Sequence, residues 1–279
     1  MKMTLRILTL FFLCHSIGIQ AQRKPKIKGN RELTEVIKPL PPFSSIEIRD
    51  DLDIVLRRAP EESYRITADD NLIDVLKFEV ENGVLVVSSF YQITAKKELS
   101  IEVSYTQLNA ISLLEGRIST ADGERISSEE LIVDTQGISR IEVDADVGQL
   151  KLNMKDNSKG NFNVTADSLS LQLKHKSDAQ VYINSFSSSI QIRDNALLLI
   201  EGTSNTLKLS SKDNARIRAQ DLEADQLTAN LAGSSDTRVL VNGEAELSLL
   251  EKARCYLFGE PEIKLLTFKD NAELFKRNK

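Results

Sequence analysis

The sequence predicts an all-β fold in which short parallel strands stack into a solenoid, with a mostly β cap on its N-terminal side. Two observations predict this architecture. Polar four-residue anchors recur along the second half of the chain, and apolar residues alternate with polar ones between the anchors. A third observation, an apolar leader at the N-terminus, predicts that the chain is exported.

Residues 1–21 have the pattern of a secretory signal peptide. Lys2 and Arg6 supply positive charge, an apolar stretch runs from Ile7 to Ile19, and cleavage is expected after Ala21. The stretch is shorter than the roughly 20 apolar residues of a spanning helix, so we expect it to be removed. Lipidation at Cys14 is disfavoured because a leucine, and not a small residue, precedes it.

The mature chain is expected to contain no transmembrane segment, since its longest wholly apolar run is Ala196–Ile200. A formal net charge of -5 argues against nucleic acid as a partner. Only one cysteine, Cys255, and one histidine, His175, follow the leader, so no disulfide framework is expected and stability must come from packing. These features favour the periplasm or the cell surface of a Gram-negative bacterium.

Two segments are expected after the leader. Residues 22–42 are basic and contain several prolines, which predicts an extended, solvated linker. Residues 43–279 are expected to form a single β-solenoid domain, with a capping part over residues 43–110 and repeating coils over residues 111–275. In the capping part, Asn82–Gly83 predicts a hairpin turn and residues 71–77 predict one helical turn.

The anchors define the repeat. Lys212–Ala215 and Lys269–Ala272 share the sequence Lys-Asp-Asn-Ala, and Lys155–Ser158 and Arg193–Ala196 differ from it by one conservative change each. With the looser copies Lys176–Ala179 and Ser234–Thr237, and with Ser139 and Ala253, the anchors end at residues 139, 158, 179, 196, 215, 237, 253 and 272. A spacing of about 19 residues is at the low end of solenoid repeats.

Two short strand patterns lie between successive anchors, and each places apolar residues on one face. Because no coil can bury its apolar edge alone, the coils must stack. An antiparallel β-sandwich is the alternative. The first pattern contains Ile141 and Val143, Val181 and Ile183, Leu198 and Ile200, Ile217 and Ala219, Val239 and Val241, and Cys255 and Leu257. The second contains Leu150 and Leu152, Leu169 and Leu171, Ile190 and Ile192, Leu207 and Leu209, Leu227 and Ala229, Leu247 and Leu249, and Ile263 and Leu265.

Several segments in a fixed order resemble those of a known family. Pro42–Ile46 opens a strand, Asp53–Leu56 follows, an Asn-Gly turn precedes Val84–Val87, and Leu99–Val103 leads into coils with Asp-Asn-Ala corners. Together they resemble the GIN-domain family of autotransporter adhesin heads, exported proteins best known from Bacteroidota. The resemblance implies a right-handed β-helix-like fold, an extracytoplasmic location and no established catalytic residues, in a family whose function is not established.

A carbohydrate-active enzyme is the first alternative, because β-helices can carry clustered carboxylates. Aromatic residues that could form sugar subsites are scarce, at 5% of the chain. We therefore expect no enzyme and assign no catalytic residue. The carboxylates considered are Asp50, Asp51, Asp53, Asp144, Asp146 and the corner acids Asp156, Asp178, Asp194, Asp213, Asp236 and Asp270.

A column of corner acids could also bind calcium. Basic residues precede these acids, and we expect them to neutralise the acidic column, so neither a metal nor a cofactor is predicted. His175 is interpreted as a solvated corner residue and Cys255 as an inert buried thiol. The basic residues considered are Lys155, Lys176, Arg193, Lys212 and Lys269.

The leading functional hypothesis is a non-catalytic structural or binding module that contacts an envelope protein or a surface glycan. A periplasmic sensing or envelope-stress partner is the second alternative. Ends of solenoids expose unpaired backbone groups, so association of two copies through the C-terminal coil is also expected.

Overall fold

The computed structural model describes residues 24–277, so the expected leader over residues 1–21 lies outside the described residues. The N-terminal part consists of β1 (Lys26–Lys28), β2 (Leu33–Pro39), β3 (Ser45–Ile48), β4 (Asp53–Arg58), β5 (Ser63–Asp69), α1 (Asp70–Ile73), β6 (Leu76–Glu81), β7 (Val84–Ser89), β8 (Gln92–Ala95) and β9 (Leu99–Tyr105). The remainder consists of β10 (Ala110–Leu113), β11 (Gly116–Thr120), β12 (Ile126–Thr135), β13 (Ser139–Met154), β14 (Lys159–Leu173), β15 (Asp178–Ile192), β16 (Leu197–Ser211), β17 (Arg216–Leu231), β18 (Asp236–Leu249), β19 (Arg254–Phe258), β20 (Glu262–Phe268) and β21 (Glu273–Arg277).

Successive coils pair in parallel, which confirms the predicted solenoid, and the stack has about nine turns. Arg140 in β13 pairs with Lys159 in β14, which in turn pairs with Asp178 in β15. Each partner is one repeat further along the chain, as a solenoid requires and an antiparallel sandwich does not. The sandwich alternative is therefore wrong.

The interior is one continuous stack of apolar columns. Leu171 in β14, Ile190 in β15 and Leu209 in β16 occupy the same register position and are at most 2% exposed. Alternate residues point outward because side chains alternate between the two faces of a strand. Coils of a parallel sheet lie about 4.8 Å apart, so each inward side chain packs directly on its counterparts above and below.

Each coil turns at a residue in the left-handed backbone region. Asp156, Asp194 and Asp213 have φ angles of 63°, 63° and 62°, and His175 has a φ of 60°. Aspartate tolerates this conformation better than most residues because its short side chain can bond locally to the backbone. The recurring Asp of the anchors therefore marks the geometry of the turn.

The register corrects two of the expected corner positions. Asp178 pairs with Leu197, so Ser177 and not Ala179 is aligned with Ala196. By the same reasoning, the pairing of Arg216 with Asp236 places Ser235, not Thr237, at the corner. The looser anchors were matched by composition, and the error of two residues left every predicted inward face intact because strand faces alternate with a period of two.

The segment expected to be a solvated linker is paired, which corrects that expectation. β1 pairs in parallel with β8, and β2 pairs antiparallel with β5. Lys24 bonds to the carboxylate of Asp50 and, at 2.7 Å, to the carbonyl oxygen of Ser89. Basic residues suggested solvation, but Lys24 contacts the cap instead.

Asp69, the last residue of β5, binds the backbone segments around Arg31 and Lys97. The side chain is fully buried and accepts backbone N–H groups from Arg31 at 3.2 Å and from Lys97 at 3.1 Å. Burial alone would raise its pKa, but the N–H donors of Lys97, Arg31 and Glu98 outweigh it and lower the pKa below the usual value. The ionised carboxylate therefore holds the segments around Arg31 and Lys97 together.

Parallel stacking begins within the N-terminal part. β3 lies between β7 and β10, and β4 lies between β9 and β11, all in parallel. Antiparallel pairing is found at β2, β5 and β6, which close this end. The helical turn predicted over residues 71–77 is found in part, since α1 ends at Ile73 and Leu76 and Lys77 belong to β6. Within residues 24–277, no helix has the length and apolar character needed to cross a membrane.

Candidate functional site

A shallow depression of about 350 Å³ lies on the outward face of the strands β13 to β16. It opens to solvent along the face, and Val143, Phe162 and Val181, whose side chains are buried in the interior, also line it. The outward side chains that line it are Glu142, Asp144, Asn161, Asn163, Gln180, Tyr182, Leu199 and Glu201.

The parallel register arranges these side chains in two columns. One column contains Glu142, Asn161, Gln180 and Leu199, and the other contains Asp144, Asn163, Tyr182 and Glu201. Neighbours within a column come from successive coils and are therefore about 4.8 Å apart. The rigid stack fixes the spacing of the polar groups before any ligand arrives.

Tyr182 is the aromatic side chain of this surface. It is 48% exposed, although tyrosine usually buries its ring, and it stands between Asn163 and Glu201 in its column. Its ring can stack on a ligand, while the carboxylates and amides around it can accept and donate hydrogen bonds. Among the residues that line the depression, all of them in the described coils, none is lysine or arginine.

A second depression, of about 300 Å³, adjoins the first and shares Glu142, Asn161 and Gln180 with it. Arg117, Arg140 and Lys159 line its other side, together with Asp178. The outward face therefore changes from acidic near Tyr182 to mixed charge toward the start of each coil.

The corner acids have a structural role. Asp194 accepts the backbone N–H of His175 at 2.9 Å, and Asp156 accepts that of Gly137 at 3.2 Å. The bond from Gly137 and the pairing with His175 lower the pKa of Asp156 below its usual value. Each carboxylate thus ties its own corner to the corner of the preceding coil.

The contacts of the corner acids differ from the expected neutralisation by the column of basic residues. In the described part of the chain, no ion pair joins the basic column to the corner carboxylates, which bond to backbone N–H groups instead. Lys176 is aligned with Asn157, and Lys174 takes its expected place beside Lys155. Over residues 24–277, no group of three or more His, Cys, Asp or Glu side chains could hold a metal ion.

Two of the expected corner acids lie elsewhere. Asp178 and Asp236 are outward residues at the start of their strands. Asp236 is 8% exposed and bridges Arg218 at 2.5 Å and Arg254 at 3.1 Å, so it joins three consecutive coils. Charge in this column is compensated within the protein.

The remaining candidate acids are dispersed. Asp50 accepts the backbone N–H of Ser89 at 2.8 Å and supports the N-terminal part, whereas Asp51, Asp53 and Asp146 are exposed. Asp144 is the one member of the set that lines the depression around Tyr182. The structure therefore brings one expected acid together with two acids, Glu142 and Glu201, that sequence reasoning did not select.

His175 and Cys255 lie in two different environments. His175 occupies the left-handed corner itself, and its Nδ1 is 2.8 Å from the Oδ1 of Asp156. Cys255 is fully buried, and burial, with a smaller contribution from Asp236, raises the pKa of its thiol to about 12. The thiol is therefore protonated and unreactive at neutral pH.

Sequence reasoning missed the depression. Its side chains are separated by about one repeat in the chain and meet only after the coils stack. The available signal was the alternation itself, since Glu142, Gln180 and Tyr182 are adjacent to apolar residues that the strand pattern placed on the inward face.

Comparison with known proteins matches the chain to one family. The model of the family described as "Putative auto-transporter adhesin, head GIN domain" matches residues 42–164 and, a second time, residues 157–261. The comparison with curated proteins found no match.

Solved structures share the fold over most of the chain. A "putative adhesin" from Parabacteroides distasonis is 15% identical with a TM-score of 0.69, and one from Parabacteroides merdae is 15% identical with a TM-score of 0.61. A "Putative lipid binding protein" from Parabacteroides distasonis is 16% identical with a TM-score of 0.55. Each alignment covers 90% of this chain, and 100%, 100% and 96% of the other chain, respectively. At these identities the likeness establishes the fold.

Proposed function

Because the chain belongs to the head GIN-domain family, we propose that it is a non-catalytic, adhesin-like binding module that acts outside the cytoplasm. The observation that carries this proposal is the depression around Tyr182, in which a rigid solenoid presents an exposed aromatic ring among ordered polar side chains. We propose that a surface glycan binds there.

The shape of the site favours an extended ligand. An enclosed pocket would surround a small molecule, whereas this depression is open along the face and continues into its neighbour through Glu142, Asn161 and Gln180. A chain of sugar units could lie across several coils and place one ring on Tyr182. Asn161 and Asn163 would then meet hydroxyl groups, which both donate and accept.

The charge of the site favours a glycan without acidic groups. Glu142, Asp144 and Glu201 make the depression acidic, and ionised carboxylates accept hydrogen bonds but cannot donate them. Sugar hydroxyls can satisfy such acceptors, whereas uronate or sulfate groups would be repelled. An acidic glycan is therefore a poor ligand for this surface.

The test is a binding panel of neutral and acidic oligosaccharides with the purified protein. We expect a neutral glycan to bind, and Tyr182→Ala to weaken that binding about tenfold, the equivalent of about 1.4 kcal/mol. Phe90→Ala is the matched control, because Phe90 is an aromatic residue of 59% exposure that does not line the depression.

Three results would contradict the proposal. Binding restricted to acidic glycans would refute the expected ligand class, and equal loss in Tyr182→Ala and Phe90→Ala would refute the site. Release of new reducing ends or unsaturated products from any glycan of the panel would show catalysis and favour the carbohydrate-active enzyme.

A further inference from the structure

Among the described residues, nothing covers the C-terminal end of the solenoid, defined here as β20 and β21 and called the open end. β20 pairs with β18 and β21 pairs with β19, and within residues 24–277 no strand lies against the outer edge of either. The peptide N–H and C=O groups along these outer edges are therefore available to another strand.

The apolar interior reaches this end uncovered. Ile263, Leu265 and Phe268 continue the inward columns of Ala245, Leu247 and Leu249, and the latter three are fully buried. The exposed fractions of Ile263, Leu265, Leu266 and Phe268 are 38%, 50%, 62% and 48%. Exposed apolar side chains along an unpaired strand edge form a site for association.

We propose that a second copy of this chain covers the open end, related to the first by a two-fold axis. The axis runs perpendicular to the strands and passes just outside the outer edges of β20 and β21, between the two copies. Each strand then pairs antiparallel with its own counterpart, and the two exposed apolar surfaces face each other. This contact is closed, because a two-fold interface uses the same surface on both copies.

Charge complementarity within β21 supports a second copy as the occupant. The strand begins at Glu273 and ends at Arg277, and both side chains are exposed. Antiparallel self-pairing centred on Phe275 places Glu273 of each copy opposite Arg277 of the other. Two pairs of opposite charge result, and opposite charges on directly facing strand residues are stabilising.

The N-terminal end is a poorer partner for the open end. The edge strand β2 ends at Pro39, which lacks a backbone N–H, and carries Glu35 and Lys38 at exposed positions. The edge strand β6 carries the exposed charged residues Lys77, Glu79 and Glu81. Such features protect an edge from further pairing. The expected assembly is therefore a dimer and not a head-to-tail filament.

The dimer would present two ligand sites on one side. A two-fold axis through both sheets keeps the outward face of each copy on the same side of a continuous rod, so both depressions face one surface. Simultaneous contact would raise the apparent affinity for a repetitive ligand. This consequence rests on the proposed function, whereas the dimer itself does not.

The first test is sedimentation equilibrium of the purified protein over a concentration series. We expect a monomer–dimer equilibrium, and Leu265→Lys should raise its dissociation constant at least about tenfold by burying a charge in the contact. Leu33→Lys on β2 is the matched control, since Leu33 is 42% exposed at the opposite end and should leave the dimer unchanged. Circular dichroism checks that both variants are folded.

The second test reverses the charges of β21. Glu273→Arg and Arg277→Glu should each weaken the dimer about threefold to tenfold, because each creates facing like charges. The double variant should return to within about twofold of the unmodified protein. Rescue by the double variant would identify antiparallel pairing, because a variant that had lost its fold would not regain the dimer through a second charge reversal.

A mass that stays monomeric at every concentration would overturn the proposal, and so would species that grow beyond the dimer. A dimer that tolerates Leu265→Lys, or charge variants without rescue, would refute this interface. None of these results depends on a glycan, so the proposal of a dimer and the proposal of a glycan ligand can be refuted independently of each other.

Discussion

The central coils and the C-terminal coil place the same kinds of residue in the same columns, yet their surroundings differ. Leu171 in β14 is fully buried, whereas Leu265 in β20 belongs to the same inward column and is 50% exposed. The strand around Leu171 has a neighbour on each side, whereas β20 has one neighbour among the strands of residues 24–277. Burial in this fold is therefore a property of the stack, because an inward side chain leaves water only when a further coil covers it.

Truncation of the two leucines measures this difference most strongly. Leu171→Ala should lower the free energy of unfolding by about 3 kcal/mol, since it removes buried methyl groups and leaves a cavity. Leu265→Ala should cost less than about 1 kcal/mol, because the side chain is half exposed. Urea denaturation of dilute protein provides the values, and similar costs for both variants would show that the two coils are equally covered.

Two glycines extend the comparison to the backbone. Gly202 in β16 has a φ of 112°, and an added Cβ would overlap the carbonyl oxygen of Ile183 in the adjacent coil. Gly202→Ala should therefore cost at least about 2 kcal/mol.

The control is Gly83→Ala in the turn between β6 and β7. Gly83 has a φ of 77°, but nothing lies within 4 Å of the position of its Cβ. The expected cost is about 1 kcal/mol, from the unfavourable φ alone. Thermal unfolding of both variants separates the two contributions, and a larger loss at Gly83 would contradict the close contact between coils at Gly202.

The corner carboxylates give the coils a dependence on pH. The pKa of Asp156 is lowered in the folded protein from its ordinary value of 3.8, so its contribution to stability is present above that value. This contribution is lost as the pH falls through the lowered pKa. Asp156→Asn should therefore flatten the loss of stability below about pH 4, and an unchanged pH profile of thermal unfolding would contradict the role given to this carboxylate.

The smallest expected effect is at a buried corner. The hydroxyl of Ser158 is fully buried and has no hydrogen-bond partner among residues 24–277, and Ala196 and Ala215 hold the same position in later coils. Ser158→Ala should be neutral or stabilising by up to about 1 kcal/mol, because it removes an unsatisfied polar group. A clear loss of stability would show that the hydroxyl has a partner.

The architecture could be predicted from the sequence because its causes are local. Alternation set the inward faces, and Asp-Asn-Ala marked the corners, where the left-handed φ of Asp194 and Asp213 favours aspartate. The predicted corner positions were wrong where an anchor was assigned from its composition and not from the register between coils. Lys176–Ala179 resembled an anchor, whereas pairing between coils placed the corner at Lys174–Ser177.

The candidate site could not be predicted, because it depends on contacts between coils. Glu142 and Tyr182 are far apart in the chain and have no shared motif, so only the three-dimensional register brings them to one depression. The exposure of Tyr182 and of Leu265 likewise depends on which neighbours are present. The sequence patterns predict on which face of its strand a side chain lies. The neighbours of that side chain depend on how the coils stack.

Amide hydrogen exchange at low and high protein concentration tests the central claim most directly, namely that each coil is protected by the coils on both sides of it. The backbone amides of β14 to β16 should exchange slowly at both concentrations. Those of β20 and β21 should exchange quickly in dilute protein and slow down as a second copy covers them. Exchange in β14 to β16 as fast as in β20 would contradict the stacked solenoid from which the site and the dimer are derived.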